Sequence, residues 1–429
     1  MTQATAPDVT NVDDNGPRGE KDTALNIQWA VSLFGTAVGA GILFLPINAG
    51  SFGFWPLLIA TLLIAPMTYF SHRGMSRMIC AAPRQGLDIT EVATDYFGKG
   101  AGTLISLLYF LAIYPIVLIY GVSITNTVNS FIVNQLGGPE LNRVVLSFLL
   151  VAGMTLVFAF SQRLMLRITQ FIVYPLIFAL GALSLYLIPR WDFGSFMQVG
   201  SGGWAIIPAV VAIVPVLVFS FNHSPAISQF SLAMQRAYGK KHAATNASRS
   251  LVITAALLTV FTMFFVWSCT LALGAEGLQE AREQNLPVLS YLANETGVPV
   301  LAFVSPIIAM AAIVSSYFGH VLGTTEGARY LLATASPSLA RRGSKKQLTR
   351  IVHAFIFVTT WIAAIVDPSI LSLIESIGGP FIAAILYLLP MYAIHKVDAL
   401  KEYRGRLSNA FVVVAGCVAI GSAVWGLFS

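Results

Sequence analysis

Uninterrupted apolar runs decide what this chain can fold into. Eleven of them lie at roughly 25–48, 54–79, 102–131, 143–161, 164–189, 204–232, 250–273, 299–328, 349–367, 369–395 and 407–428. A helix crosses a bilayer with about 20 apolar residues, so each run is long enough to span with some tilt. The runs are too continuous for the short alternating segments of a membrane β-barrel. The expected class is therefore an all-α polytopic membrane protein with 11 transmembrane helices. Charge agrees, since only 10% of the 429 residues are Asp, Glu, Lys or Arg. A soluble domain carries about a quarter.

The 25 Lys and Arg residues supply an orientation. With a cytoplasmic N-terminus, 22 of them fall on cytoplasmic segments, among them Arg73, Arg77, Arg163, Arg167, Arg236, Arg341 and Arg342. Outside lie only Arg143, Arg190 and Arg282. This is the positive-inside pattern, and it explains the net charge of +6 without a nucleic-acid partner. Eleven crossings then put the C-terminus on the outer side. Residues 1–24 are polar, without a basic start or a short apolar core, and are expected to form a disordered cytoplasmic tail, not a signal peptide. Cys80, Cys269 and Cys417 are far apart and offer neither a disulfide framework nor metal-type spacing.

Two runs look broken. The first contains Gly35-Thr36-Ala37-Val38-Gly39-Ala40-Gly41. Each glycine there costs a helix about 1 kcal/mol against Ala. The sixth contains Ser220-Phe221-Asn222-His223-Ser224-Pro225, where Pro225 removes a backbone donor and disfavours helix at Ser224. The breaks are roughly 185 residues apart, in spans of opposite direction, each opening a set of five. That is a 5+5 inverted repeat, with helices 1–5 at about 25–189, helices 6–10 at about 204–395 and helix 11 at about 407–428. In such transporters the broken helices form a midplane binding site.

A broken helix exposes two ends. Beyond Ala40 and Gly41, free N–H groups suit a carboxylate. Before Gly35 and Thr36, free carbonyls suit a cation or an ammonium. A zwitterion fits both, so an amino acid is the natural substrate class; an anion and a metal cation held separately would also fit. Most serines and threonines at depth are expected to bond their own helix or a neighbour. Asn222 and His223 differ, because they sit beside unpaired backbone. The ionisable candidates are His223, His320, Glu326, Asp367 and Glu375. Glu326 and Asp367 are expected to be solvated at span ends. Glu375, just before Gly378-Gly379-Pro380, is expected to carry a proton or close an outer gate. Of the six histidines, only His223 and His320 are placed in apolar spans, so neither a three-ligand metal site nor an enzyme is expected. No Gly-x-x-x-x-Gly-Lys phosphate loop is present.

Several stretches carry a family resemblance. They are Gly35 to Pro46, Phe44-Leu45-Pro46-Ile47-Asn48-Ala49-Gly50, Asp88-Ile89-Thr90-Glu91-Val92, Ile124-Thr125-Asn126-Thr127-Val128, Phe219 to Pro225, Leu289-Ser290-Tyr291-Leu292-Ala293-Asn294 and Ile374 to Pro380. From about residue 25 to the C-terminus they resemble the hydroxy and aromatic amino acid permeases, in particular the bacterial serine permease branch, of the amino acid–polyamine–organocation superfamily. The resemblance implies a LeuT-type fold in the bacterial inner membrane. It also implies uptake of L-serine, with L-threonine as an alternative, coupled to protons and needing no cofactor.

The expected substrate site is Thr36, Ala37, Gly39, Ala40, Gly41, Tyr114, Ser220, Asn222, His223 and Ser224. The expected coupling-ion residues are Gly35, Ser315, Ser316 and Glu375. The serine permease pattern admits a lysine where this chain has Ser315. Serine hydroxyls cannot titrate near neutral pH but can ligate a hard cation. A sodium ion at Ser315 and Ser316 is therefore the alternative to the proton, with a passive facilitator behind both. A receptor would want a soluble output domain larger than any segment here.

Overall fold

A computed structural model describes residues 18–160, 162–199, 203–295, 297–336 and 345–426. Every regular element among them is helical. The first run is two helices, α1 (Arg18–Ala37) and α2 (Ala40–Gly50), bent by 63°. Then follow α3 (Phe54–Cys80), α4 (Ile89–Ser130), α5 (Arg143–Phe160), α6 (Gln162–Leu187) and the short α7 (Phe193–Gln198). The second set comprises α8 (Ile206–Ser220), α9 (Ser224–Glu283), α10 (Val288–Glu295), α11 (Pro299–Ala335), α12 (Lys345–Val366) and α13 (Ile370–Lys396). The last helix is α14 (Leu407–Gly426).

Among the described residues, all eleven predicted runs land on helix. The sixth is divided between α8 and the start of α9, and the seventh lies within α9. Among the described residues, nine helices are long and apolar enough to cross a membrane, or ten with α1 and α2 taken as one bent span. The fourth run is a shorter apolar helix, Arg143–Val157. Helix begins at Arg18, inside the 1–24 segment expected to be a disordered tail. Residues 1–17, Arg341 and Arg342 lie outside the described residues.

Local chemistry sets the punctuation. Asp88 caps α4, accepting from the N–H groups of Thr90 and Glu91 while the Glu91 carboxylate accepts from the Asp88 N–H. This reciprocal capping box is the physical content of the Asp88 to Val92 motif. Gly98 (φ 81°) turns the chain between the first turns of α4 and its membrane span, and Gly239 and Gly274 (both φ 67°) bend α9 in the same way. Left-handed backbone of this kind favours glycine. The kink expected at Gly378-Gly379-Pro380 takes the form of π-helical turns at Ile374–Gly378 and Ala383–Leu388. Both glycines permit close packing beside the second break: an added Cβ would lie 2.6 Å from Phe219 at Gly378 and 2.5 Å from the Pro215 carbonyl at Gly379.

The ends of the bundle are closed by different contacts. At the end rich in basic residues, Gln235 bonds the Ile79 carbonyl and the Gly86 N–H, and the Arg77 guanidinium covers the Tyr403 ring. At the opposite end Asp367 pairs with Arg143 at 2.9 Å and accepts from Asn126 and Asn285. Asp367 is thus a clasp joining α4, α5 and the turns before α10 and α13, and not merely a solvated residue.

Candidate functional site

The two breaks meet. α1 stops at Ala37, and α2 restarts at Ala40 after Gly39, whose backbone is extended. The first N–H groups of α2 have no partner within their own helix, and they carry the positive end of its dipole. α8 stops at Ser220, and α9 restarts at Ser224 with Pro225 in its first turn. The Ser220 hydroxyl donates to the Gly41 carbonyl at 2.8 Å, tying the second break to the start of α2. Gly41 has no room for a side chain, since an added Cβ would lie 2.6 Å from the Phe219 ring. The glycine pattern therefore reflects close approach as well as weak helix.

On its other side the first break rests on α11 and α4. The Ser316 hydroxyl donates to the Thr36 carbonyl at 2.8 Å and lies 2.7 Å from the Tyr120 hydroxyl. A Cβ on Gly39 would lie 2.5 Å from the Ser316 Cβ and 2.7 Å from the Tyr120 hydroxyl. The His320 ring, edge-on to Tyr120, bonds the Ser316 carbonyl through Nδ1. Hydroxyls of α11 and α4 thus gather at the carbonyl end of α1.

Within the second break, Asn222 Oδ1 accepts from the Ser224 N–H at 3.0 Å and forms a local turn. Asn222, His223 and Ser224 are all buried. Among the described residues the Asn222 amide nitrogen and His223 Nε2 have no hydrogen-bond partner, and unpaired buried groups of this kind are uncommon.

Most of the predicted substrate residues are therefore brought together: Ala37, Gly39, Ala40 and Gly41 on one side, and Ser220, Asn222, His223 and Ser224 on the other. Thr36 joins them through its carbonyl, while its hydroxyl bonds back to Ser32.

Four of the candidate residues lie away from the contacts between the breaks. Tyr114 is not at the breaks; it stacks on Phe110 and on Phe355 of α12, with centroids 4.8 and 5.4 Å away. Tyr120, on another side of α4, reaches the break instead. Of the ion candidates, Ser316 touches α1, whereas the Ser315 hydroxyl bonds the Ala312 carbonyl of its own helix and Gly35 packs against Val173 of α6. Glu375 is not with them. It accepts from Asn48 at 2.8 Å and faces Arg282 at 3.5 Å, in a cavity of about 830 Å³ at the end opposite the basic residues.

Two further groups depart from the sequence reading. Glu326 is half-buried and accepts from Gln229 rather than being free in solvent. His72 is a third buried histidine within an apolar span; it lies in α3 and stacks on His223. Nothing in the local sequence announces that contact, since the two are 151 positions apart. No cluster of three metal-binding side chains occurs among the described residues.

The chain is 45% identical over 409 residues to the serine transporter SdaC of Escherichia coli (strain K12), covering 94% of each. It is 40% identical over 420 residues to the threonine/serine transporter TdcC of Escherichia fergusonii, covering 93% of this chain and 95% of that one. Among solved structures, MhsT in complex with L-phenylalanine superposes with a TM-score of 0.57 at 14% identity, over 93% of this chain and 97% of the other. The Eremococcus coleocola manganese transporter gives 0.59 at 15% identity, over 99% and 92%. These likenesses establish the LeuT-type fold. A sequence model of the tryptophan/tyrosine permease family matches residues 26–421, and the chain belongs to that family.

Proposed function

We propose that this protein is a secondary active transporter that imports L-serine, with L-threonine as a second substrate, by ion-coupled symport across the bacterial inner membrane. In this reading the N-terminus is cytoplasmic and the C-terminus periplasmic, as the basic-residue bias requires. The observation that carries the proposal is the junction of the two breaks, where Ser220 is bonded to Gly41 beside the amide-bearing start of α2. The substrate carboxylate sits on those amides, and its ammonium faces the carbonyl end of α1. The names of the relatives, a serine and a threonine/serine transporter, support the choice of substrate.

The coupling ion is a proton in the first reading, as the family resemblance implies. Sodium is the second reading, favoured by the convergence of the Ser316 hydroxyl, the Thr36 carbonyl and the Tyr120 hydroxyl. Oxygen donors of this type suit a hard cation.

Labelled serine uptake into proteoliposomes, with proton and sodium gradients imposed separately, tests both. Uptake driven by the proton gradient alone is expected. Dependence on sodium alone selects the second reading, and Ser316→Ala should then weaken that dependence. Uptake indifferent to either gradient contradicts symport and leaves a facilitator.

A further inference from the structure

His72 and His223 stack face to face, with ring centroids 3.5 Å apart and planes 6° from parallel. Both are buried to within 1% of full enclosure. Each ring has one nitrogen on a main-chain carbonyl: His72 Nδ1 is 2.8 Å from the Thr68 oxygen and His223 Nδ1 is 3.1 Å from the Phe221 oxygen. A carbonyl oxygen only accepts, so the nitrogen facing it carries the proton. In a neutral ring the other nitrogen, Nε2, is then a lone-pair acceptor. His72 Nε2 is used, accepting the His223 backbone N–H at 3.1 Å. His223 Nε2 is buried without a partner among the described residues.

The adjacent residue adds the complement. Asn222 Oδ1 is committed to the Ser224 N–H, and its Nδ2 is a buried donor without a partner. The break therefore carries one spare acceptor and one spare donor on neighbouring residues. A hydroxyl group donates one hydrogen bond and accepts others, so it matches each in kind. A methyl group satisfies neither and leaves both desolvated.

We propose that His72 and His223 set the hydroxyl selectivity of the site. His223 Nε2 accepts the side-chain O–H of the bound amino acid. His72 is a positioning residue: its stack fixes the plane of the His223 ring, and its Nε2 anchors the His223 main chain. This rests on the reading of the two breaks as an amino acid site and adds what distinguishes serine from alanine there. Sites that bond a substrate hydroxyl reject the analogue lacking it more strongly than apolar pockets reject a missing methylene.

The test compares full-length wild type, His223→Phe, His72→Phe and His72→Gln in proteoliposomes. Competition by unlabelled L-serine and L-alanine is measured against labelled L-serine, or against labelled L-alanine where serine uptake is weak. Wild type should prefer serine by at least about 10-fold. His223→Phe should bring the preference near unity by weakening serine alone, with alanine within about 2-fold of wild type. His72→Phe should lower the preference by about 5-fold. His72→Gln, whose side-chain oxygen can accept the His223 N–H, should restore most of it, which loss of packing alone does not predict.

Wild type that takes up no serine overturns the functional reading itself. Serine uptake with an unchanged preference in both Phe variants overturns this inference and leaves that reading standing. Should neither variant reach the membrane, wild type decides: a serine preference below about 10-fold overturns the inference, and one of about 10-fold or more supports it.

Discussion

The two breaks that face each other are built from different materials. The first is glycine and backbone: Gly39 and Gly41 have no space for a side chain, and what the chain offers there is free N–H groups and the Thr36 carbonyl. The second is side chain and proline: Asn222 and His223 are buried with unused polar atoms, and Ser220 is turned onto Gly41. Backbone groups are the same whatever residue supplies them, so the first break can recognise only what all amino acids share. Side chains can be chosen for shape and hydrogen bonding, so the second break is where one amino acid is told from another. A site that must bind a common scaffold and a particular side chain divides the work along this line.

Adding a methyl group to the first break is the most severe way to break the comparison. Gly39→Ala puts a Cβ 2.5 Å from Ser316, and Gly41→Ala puts one 2.6 Å from Phe219. Overpacking of this kind costs about 1–3 kcal/mol, up to about 100-fold in affinity or rate. Serine and alanine uptake should fall together in either variant, with their ratio unchanged. A loss confined to serine would show that the first break reads the side chain.

Asn222→Ala removes the spare donor of the second break. Serine affinity should weaken by about 10-fold while alanine affinity stays within about 2-fold. Equal weakening of both would return Asn222 to a role in shaping the turn at Ser224.

The smallest effect is expected at Glu375. Its pair with Arg282 is 3.5 Å long, and the two side chains remain 29% and 36% exposed. Such pairs contribute about 0–1 kcal/mol, so Glu375→Gln should change serine affinity by less than about 5-fold and leave ion-driven uptake intact. Loss of gradient-driven uptake in that variant would instead make Glu375 the proton carrier, one of the two roles expected from the sequence.

The particular residues explain why the fold was legible in the sequence and part of the site was not. A span is a property of one continuous run, and about 20 apolar residues announce it wherever it packs. The breaks are legible for the same reason, because Gly39, Gly41 and Pro225 disturb a helix locally. What fills the space around a break depends on helix rotation and on distant neighbours. Tyr114 and Tyr120 are both polar-tipped residues of α4, and only packing decides that Tyr120 meets Ser316 while Tyr114 meets Phe355. His72 follows Thr68 and Ser71 near the basic end of α3, and its sequence neighbours give no sign of the ring of His223. Ser315 and Ser316 are adjacent in sequence but face opposite tasks, since only one points at α1.

The central claim is that the first break holds the amino acid backbone and the second reads its side chain. Equilibrium displacement of labelled L-serine from the purified protein by L-serine, L-alanine and L-serinamide tests it most directly. Serinamide keeps the hydroxyl but lacks the carboxylate that the start of α2 is built to receive. The account predicts that serine displaces best, alanine about 10-fold less well, and serinamide not measurably. Displacement by serinamide as effective as by serine would contradict it.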